Sequence, residues 1–291
     1  EPLDYAAEGR RYRQITFREL DEDSDRIAAA MRAEMAIPPG TRLALLVRPG
    51  IDFVSLMFAL LKAGMVTVLI DPGMGRRNLI RCLREVDPEG FVAISAVQAV
   101  RTVLRGCFRR ACYNITVGRR WFWGGPTLAE LRRGPHPGTQ LAPTKADDPA
   151  AIIFTTGSTG PAKGVLYRHR TFDSQVEQIR DFYGIAPGEI DLPGFPMFGL
   201  FNSAMGVTSV IPDMDPTQPA RVDPARIIEA VEQWRVTQMF GSPAMLNRIG
   251  RFCEDKAVRM PTLRRVLSCG APVPAHVLKR MKGAIHAEGD V

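Results

Sequence analysis

Apolar and polar positions alternate in a regular way along the first half of the chain. Residues 42–47, 65–71 and 91–95 are apolar at nearly every position, which is typical of strands buried on both faces of a parallel sheet. Between these runs lie segments of about ten residues with apolar side chains at helical spacing. The alternation predicts an α/β fold in which a parallel-rich sheet is covered by helices.

Local signals mark the ends of two helices. Thr16 and Glu19 form a T-x-x-E capping box that predicts the start of the first helix, and the Pro-Pro-Gly at 38–40 stops it. Later in the chain, Asp223 is predicted to cap a helix whose first position is Pro224. Both helices are therefore predicted with defined starts.

A Pro/Gly-rich segment interrupts the alternation at 134–149 and is predicted to be a surface loop. The alternation then resumes with further strands and amphipathic helices. We therefore predict two packed α/β lobes, one at approximately 41–170 and one formed by approximately 1–40 with 171–291. The last residues carry no capping signal, so 1–291 is expected to be part of a longer chain.

The chain is basic, with a formal charge of +7 and an isoelectric point near 9.4. The arginines are scattered through amphipathic segments and form neither a basic tail nor a stripe interleaved with aromatic residues. Nucleic-acid binding is therefore not predicted. Binding of a polyanionic small molecule would account for part of this excess of positive charge.

The cysteines and the most apolar segment exclude other classes of protein. The five cysteines contain no C-x-x-C pair and the four histidines have no zinc spacing, so we expect reduced thiols in a cytoplasmic protein. The most apolar segment, 51–70, is interrupted by Asp52, Lys62 and Gly64. No integral membrane segment is therefore predicted.

The stretch "AAIIFTTGSTGPAKGVLYRHR", residues 150–170, carries the clearest chemistry. Its apolar start predicts a buried strand, and the Thr, Ser and Gly residues that follow offer N–H groups and hydroxyls that suit phosphate oxygens. Lys163 adds a mobile positive charge. The loop is not a Walker A motif, because Gly164 stands where Ser or Thr would follow the lysine. The alternative interpretation is a surface loop with an exposed lysine.

The segment "FTTGSTGPAKGV" resembles the phosphate-binding signature of the adenylate-forming superfamily, which includes acyl-CoA synthetases, nonribosomal-peptide adenylation domains and luciferases. The resemblance continues through "TFRELDEDSDRIAAAM" and "GTRLALLVRPGIDFVSLMFALLKAGMVTVLIDP", and it covers essentially the whole chain. Within the superfamily, "VLYRHRTF" and "DLPGFPMFGLFNSAMGVTSVIPDMDPTQPA" are most similar to the β-lactone synthetases of bacterial olefin biosynthesis. Residues 1–291 then correspond to a partial N-terminal adenylation domain.

The resemblance implies an ATP site. The residues implied to wrap the ATP phosphates are Thr155, Thr156, Gly157, Ser158, Thr159 and Gly160. Lys163 is implied to neutralise the β- and γ-phosphates, and Thr155 is also a candidate Mg²⁺ contact, with a glutamate expected beyond residue 291; these two are the implied catalytic residues. Gly270, Ala271 and Pro272 of "SCGAP" are implied to lie along the adenine, and a simple strand-to-helix turn is the alternative.

Four residues are implied to line an acyl pocket: Met197, Phe198, Phe201 and Gly241. Many related synthetases have histidine where this chain has Met197 and Phe198, so an apolar wall is expected there. Gly241 is expected to leave room for an acyl chain. Ordinary core packing is an equal alternative for these residues, and His169 is expected to be structural.

The resemblance implies that ATP and Mg²⁺ serve to adenylate a long-chain 2-alkyl-3-hydroxy carboxylic acid, after which the 3-hydroxyl closes a β-lactone and AMP leaves. The alternatives are an acyl-CoA or acyl-carrier ligase and, from another class, a non-catalytic nucleotide-binding module. The expected partners are the small-molecule acid and other enzymes of the olefin pathway. The family has a C-terminal domain with a catalytic lysine beyond the region matched here, so residues 1–291 alone are expected to be inactive.

Overall fold

The computed structural model describes residues 1–6, 9–134, 141–155 and 162–291. The chain divides into two compact units. We call Ile15–Gln175 the large-sheet unit, and Glu1–Gln14 with Val176–Val291 the small-sheet unit. Each unit contains its own sheet.

Strands and helices alternate along most of the chain. The strands are β1 (Pro2–Ala6), β2 (Gly9–Tyr12), β3 (Arg42–Leu46), β4 (Val66–Ile70), β5 (Gly90–Ile94), β6 (Tyr113–Val117), β7 (Pro149–Thr155), β8 (Lys163–Arg168), β9 (Ile190–Pro193), β10 (Thr208–Ser209), β11 (Gln238–Phe240) and β12 (Arg265–Leu267). The helices are α1 (Phe17–Ala33), α2 (Ile51–Lys62), α3 (Arg76–Val86), α4 (Ser95–Val103), α5 (Leu128–Leu131), α6 (His169–Tyr183), α7 (Pro196–Ala204), α8 (Pro224–Trp234), α9 (Pro243–Lys256) and α10 (Ala275–Ala284).

The sheet of the large-sheet unit has the strand order β6-β5-β3-β4-β7-β8 in the described residues. Neighbouring strands are parallel as far as β7, which confirms the predicted parallel-rich sheet. Strand β8 runs antiparallel to β7. The sequence pattern predicts no strand at β8, because its side chains do not alternate between apolar and polar types.

Helix α1 begins as the capping box predicts. The Thr16 hydroxyl accepts the backbone N–H of Glu19 at 3.2 Å, and the Glu19 carboxylate accepts the backbone N–H of Thr16 at 2.7 Å. One face of the helix then buries Ile27 and Met31 completely. Helix α1 packs on α2 within the large-sheet unit.

Ion pairs hold α1 in the same unit as α2. Arg132 donates to the Asp23 carboxylate of α1 at 2.7 Å and to the Asp52 carboxylate of α2 at 2.9 Å. Residues 15–40 therefore group with the large sheet, whereas the sequence prediction places 1–40 in the other lobe. The prediction differs because an amphipathic helix pattern shows that a face is buried but not which sheet buries it.

The small-sheet unit has the parallel strand order β10-β9-β11-β12 in the described residues. Its core is built from buried apolar residues of the strands and of α8, α9 and α10, among them Leu192, Ile227 and Met239. The predicted cap of α8 is confirmed, since the Asp223 carboxylate accepts the N–H of Ala225 at 3.1 Å. The sequence pattern predicts neither the β1–β2 hairpin nor α7 and α9.

None of the helices in the described ranges is both long enough and apolar enough to cross a membrane. The five cysteines are free thiols, as predicted. Burial raises the pKa of the Cys253 thiol to about 11, so this side chain is protonated at neutral pH and is a poor nucleophile.

Candidate functional site

Two neighbouring strands hold the ends of the Thr/Ser/Gly loop. Thr155 is the last residue of β7 and Lys163 is the first residue of β8, and the two lie opposite each other in the antiparallel pair. The predicted phosphate-binding residues Thr156, Gly157, Ser158, Thr159 and Gly160 lie outside the described residues, as does the side chain of Thr155. The loop is therefore a hairpin connection that begins and ends at one point on the sheet.

Lys163 presents an available positive charge beside this loop. Its side chain is exposed, and within the described part of the chain no carboxylate forms an ion pair with it. An exposed ammonium group next to a hairpin of small residues suits an anionic ligand. Its predicted role at the ATP phosphates remains a prediction.

Gly164 lies close to two side chains of β7. A Cβ atom at this position would lie 3.1 Å from Ile152 Cγ2 and 3.2 Å from Phe154 Cζ. Both distances are shorter than ordinary contacts between such carbon atoms. The glycine that excludes a Walker A motif therefore lets the Phe154 ring cover the backbone directly after Lys163.

The edge at which this loop lies is the one where α/β sheets bind ligands. Strand β4 is the parallel neighbour of β7, with Ile70 opposite Phe154, so both strands end at the same edge. Asp71 follows β4 and accepts the N–H of Gly73 at 2.8 Å, forming a turn. Ligands of open α/β sheets bind outside the carboxyl ends of the strands, so the position of the loop agrees with a binding role.

The segment "SCGAP" forms an exposed turn after β12. Gly270 has φ of +90°, a backbone conformation that glycine adopts without strain. Ala271 and Pro272 are exposed beside it. The Ser268 hydroxyl is buried and has no hydrogen-bond partner in the described residues. The turn is as predicted, and the adenine contact proposed for it remains a prediction.

Helix α7 carries the aromatic residues assigned to the acyl pocket. The Phe198 ring stacks on the Phe240 ring with centroids 4.0 Å apart and planes inclined by 21°. Phe201 lies 6.2 Å from Phe198, centroid to centroid, and is buried. The side chain of Met197 lies outside the described part of the structure. The aromatic residues thus form a continuous apolar surface between α7 and β11.

The space beside Gly241 is filled by the chain itself. A Cβ atom at Gly241 would lie 2.7 Å from Leu246 Cδ2 and 3.4 Å from Met245 Sδ. The glycine therefore permits the close approach of α9 to the end of β11. The room that the sequence prediction places there is occupied by Leu246 in this structure, and a role of Gly241 in acyl binding remains a prediction.

A row of polar residues that the sequence analysis does not identify crosses the small sheet. Ser209, Asp191, Gln238 and Arg265 lie opposite one another on β10, β9, β11 and β12. Residues in register on parallel strands point to the same face, so these four side chains form one row. Asp191 and Gln238 are each only 3% exposed. We call these four residues the polar row.

Hydrogen bonds join the polar row to α7 and to Glu189. The Asn202 amide of α7 donates to the Asp191 carboxylate at 2.5 Å and to the Ser209 hydroxyl at 3.1 Å. Arg265 donates to the Gln238 amide oxygen at 2.7 Å and to the Glu189 carboxylate at 2.9 Å. Buried polar groups are costly unless they are paired in this way.

Burial raises the pKa of the Asp191 carboxyl group to about 7, although the hydrogen bond from Asn202 acts in the opposite direction. The Glu189 carboxylate raises this pKa further, and the Arg265 guanidinium lowers it. The only hint of the polar row in this segment of the sequence is the single acidic residue inside the apolar strand "IDLP". One sequence does not show which residues of other strands lie opposite it.

The described residues contain no group of three or more His, Cys, Asp or Glu side chains that could hold a metal ion. They therefore do not form a magnesium cage by themselves, since Mg²⁺ is normally held by carboxylates together with phosphates and waters. His169 begins α6 with its Nε2 atom buried and unpartnered in the described residues. The structural role expected for His169 remains a prediction.

The sequence and the fold match those of an established enzyme class. Residues 2–288 match the family of AMP-binding enzymes, and the chain belongs to that family. Among curated proteins it is 47% identical over 275 residues to an olefin beta-lactone synthetase of Xanthomonas campestris pv. campestris, a match that covers 94% of this chain and 48% of the relative. The corresponding protein of Stenotrophomonas maltophilia is 46% identical, with 94% and 49% covered.

Solved structures confirm the predicted fold class. The anthranilate CoA ligase AuaEII superposes with a TM-score of 0.82 at 17% identity, covering 94% of this chain and 53% of that one. A long-chain-fatty-acid-CoA ligase of Archaeoglobus fulgidus superposes with a TM-score of 0.80 at 20% identity, covering 100% and 58%. At these identities the likeness concerns the fold. The chain spans about half the length of the two curated olefin beta-lactone synthetases.

Proposed function

We propose that the whole protein uses ATP to adenylate a long-chain 2-alkyl-3-hydroxy carboxylic acid and then closes the acyl adenylate to a β-lactone. The observation that carries this proposal is the 47% identity, over nearly all of this chain, to a protein named olefin beta-lactone synthetase. Identity to a feruloyl-CoA synthase of Amycolatopsis is 27% over 269 residues. The lactone-forming relatives are therefore much more similar to this chain than that CoA ligase is.

The proposed reaction has two steps. A carboxylate oxygen of the substrate attacks the α-phosphorus of ATP, and the bond to pyrophosphate breaks. The 3-hydroxyl oxygen of the same molecule then attacks the acyl carbon, AMP leaves with the electrons of the acyl–oxygen bond, and the hydroxyl proton is released. Formation of a four-membered ring is opposed by strain, but an intramolecular nucleophile has a high effective concentration and needs no CoA.

The hairpin loop is the proposed phosphate site. Backbone N–H groups and hydroxyls of Thr155 to Gly160 surround the phosphates, and Lys163 neutralises the charge that develops on the departing pyrophosphate. The support for this role is the position of Lys163 at the sheet edge, exposed and opposite Thr155. The turn at Gly270, Ala271 and Pro272 is proposed to contact the adenine.

The aromatic surface of α7 is the proposed wall of the acyl site, with Met197, Phe198, Phe201 and Gly241 as its residues. The support is the apolar character of this surface, since the Phe198 ring packs on Phe240 with no polar group between them. An alkyl chain gains about 25 cal/mol for each Å² of apolar surface that it buries against such a wall.

Magnesium is expected to accompany ATP, and Thr155 is the proposed contact from this chain. The described residues offer no acidic cluster that could hold the ion alone. The roles given to Lys163 and to the loop are therefore derived from their own charge and hydrogen-bonding groups. The small-molecule acid is the proposed substrate, other enzymes of the olefin pathway are proposed partners, and the cytoplasm is the proposed compartment.

Product analysis of the full-length protein tests the proposal. With ATP, Mg²⁺ and a long-chain 2-alkyl-3-hydroxy acid, we expect AMP and a β-lactone without CoA, and added CoA should not divert the product. Acyl-CoA as the main product, with AMP release dependent on CoA, would establish a ligase instead. Absence of ATP/pyrophosphate exchange with every acid tested, together with measurable ATP binding, would establish a nucleotide-binding module.

A further inference from the structure

Helix α7 is held on the small sheet at two separate points. At one point the Phe198 ring stacks on Phe240 of β11, 4.0 Å between centroids. At the other, the Asn202 amide donates to the buried Asp191 carboxylate of β9 at 2.5 Å. The first contact is apolar and tolerates sliding, whereas the second requires a donor and an acceptor in one geometry.

The spacing of the two points on the helix equals their spacing on the sheet. Phe198 and Asn202 are one turn apart, which is about 6 Å along a helix axis. Asp191 lies opposite Gln238, two residues before Phe240, and two residues span about 6.6 Å along a strand. Both contacts therefore form only in one register of α7 on the sheet.

The polar contact is costly, which points to a role beyond packing. Asp191 and Asn202 are each 3% exposed, and an apolar pair of similar volume would fill the same space at no desolvation cost. What a buried hydrogen-bonded pair adds is a single defined arrangement of the two elements that it joins. The arrangement that this pair defines is the position of the helix bearing Phe198 and Phe201.

We propose that Asp191 is a positioning residue for the acyl site, which fixes α7 on the small sheet through Asn202 and so sets where Phe198 and Phe201 meet the acyl chain. The inference rests on the proposed function for its substrate class. It assigns to Asp191 an effect on acyl binding and none on the phosphate loop. Ser209 accepts a second hydrogen bond from Asn202, so β10 holds the same amide.

Hydrogen exchange of the full-length protein tests, without any substrate, whether Asp191 fixes α7 on the small sheet. In Asp191→Ala, amides of residues 196–205 should exchange at least about tenfold faster, since the buried Asn202 amide loses its acceptor on β9. Asp191→Asn keeps an acceptor for Asn202 and should retain wild-type exchange, as should the exposed control Asp255→Ala. Unchanged exchange in Asp191→Ala, or equal acceleration throughout the small-sheet unit, would overturn the inference. If Asp191→Ala does not fold, Asn202→Ala removes the same bond from the helix.

Binding of a fluorescent fatty acid, 11-(dansylamino)undecanoic acid, tests the acyl part. We expect its Kd to rise about tenfold in Asp191→Ala, and to remain within about twofold of wild type in Asp191→Asn and Asp255→Ala. The Kd for ATP should not change in any variant. If Asp191→Ala binds the fatty acid as tightly as the wild type, the positioning role of Asp191 is overturned and the proposed acyl site is not. No binding by the wild type would instead overturn the proposed acyl site, and hydrogen exchange would still show whether Asp191 fixes α7.

Discussion

The six-stranded sheet of the large-sheet unit and the four-stranded sheet of the small-sheet unit differ in where they place their polar groups. Strand β4 of the large sheet is buried at all five of its positions, and the candidate chemistry lies at the ends of β7 and β8 and in the segment that joins them. The small sheet carries the polar row across its strands, at the first or second residue of each, with Asp191 and Gln238 almost completely buried. Polar groups at an edge are available to a ligand, whereas polar groups inside a sheet act on the elements packed against it.

The comparison separates two kinds of residue that a sequence alone does not distinguish. Lys163 is exposed and has no ion pair in the described residues, so replacing it should alter binding or chemistry and leave folding intact. Asp191 is buried and accepts a hydrogen bond from Asn202 of its own unit, so replacing it should alter the fold around it first. The predictions below test this division.

The largest expected effect is a pH dependence of stability in the small-sheet unit. Burial raises the pKa of Asp191 from an ordinary 3.8 to about 7. Between these values the unfolded chain has lost the proton and the folded chain keeps it, so the free energy of unfolding should fall as pH rises, by about 1.4 kcal/mol per pH unit. The effect should be complete above a pH of about 7.

Urea unfolding at several pH values measures this dependence. Asp191→Asn cannot titrate and should lack the decline, whereas Asp255→Asn, at an exposed position, should retain it. The charged groups that act on Asp191 in wild type are Glu189 and Arg265, and both are unchanged in these variants. Parallel pH profiles for wild type and Asp191→Asn would contradict the expectation.

The second expected effect is a loss of activity with no loss of stability. In the full-length protein, Lys163→Ala should slow ATP/pyrophosphate exchange by on the order of 100-fold, the scale for losing one charge contact to a transition state. Lys145, an exposed lysine of the same unit, provides the control Lys145→Ala, which should exchange at the wild-type rate. An unchanged rate in Lys163→Ala would remove the phosphate assignment.

The third effect is steric and lies beside Lys163. Gly164→Ala should lower the free energy of unfolding by about 1–2 kcal/mol, because the added methyl group crowds Ile152 and Phe154. Gly106→Ala is the matched control, since a Cβ atom there meets open space. Equal stability of the two variants in urea would show that β7 and β8 adjust freely.

The smallest effect tests a local signal. Thr16→Ala should cost about 1 kcal/mol, because the N-terminal hydrogen bond to Glu19 is lost. Arg18→Ala, at an exposed position in the same helical turn, should be close to neutral. Thermal unfolding compares the stability of the two variants. Equal stability would mean that the capping box makes no measurable contribution to the free energy of unfolding.

Features that depend on nearby residues could be predicted from the sequence. The capping box at Thr16, the cap at Asp223 and the parallel strands of the large sheet follow from spacing within short segments, and the structure confirms them. The loop between Thr155 and Lys163 was recognisable because its glycines and hydroxyl residues are consecutive. These signals need no knowledge of which segments meet in space.

Features that depend on register between distant segments could not be predicted. Helix α1 joins the large-sheet unit through its packing on α2 and through Arg132, more than 100 residues away from Asp23 in sequence. The polar row depends on strands β9 to β12 being aligned so that Asp191 lies opposite Gln238. A one-residue shift would turn these side chains to opposite faces, and nothing in the separate strands specifies the alignment.

The polar row also constrains how this protein can change over generations. Replacing Arg265 alone by an apolar residue leaves Glu189 without its ion-pair partner, and replacing Asn202 alone leaves the Asp191 carboxyl without its donor from α7. Removing one partner of a buried pair is far more damaging than replacing both. Descendants of this chain should therefore exchange these residues in sets, and the position of α7 on the small sheet should shift in steps, each requiring two or more substitutions together.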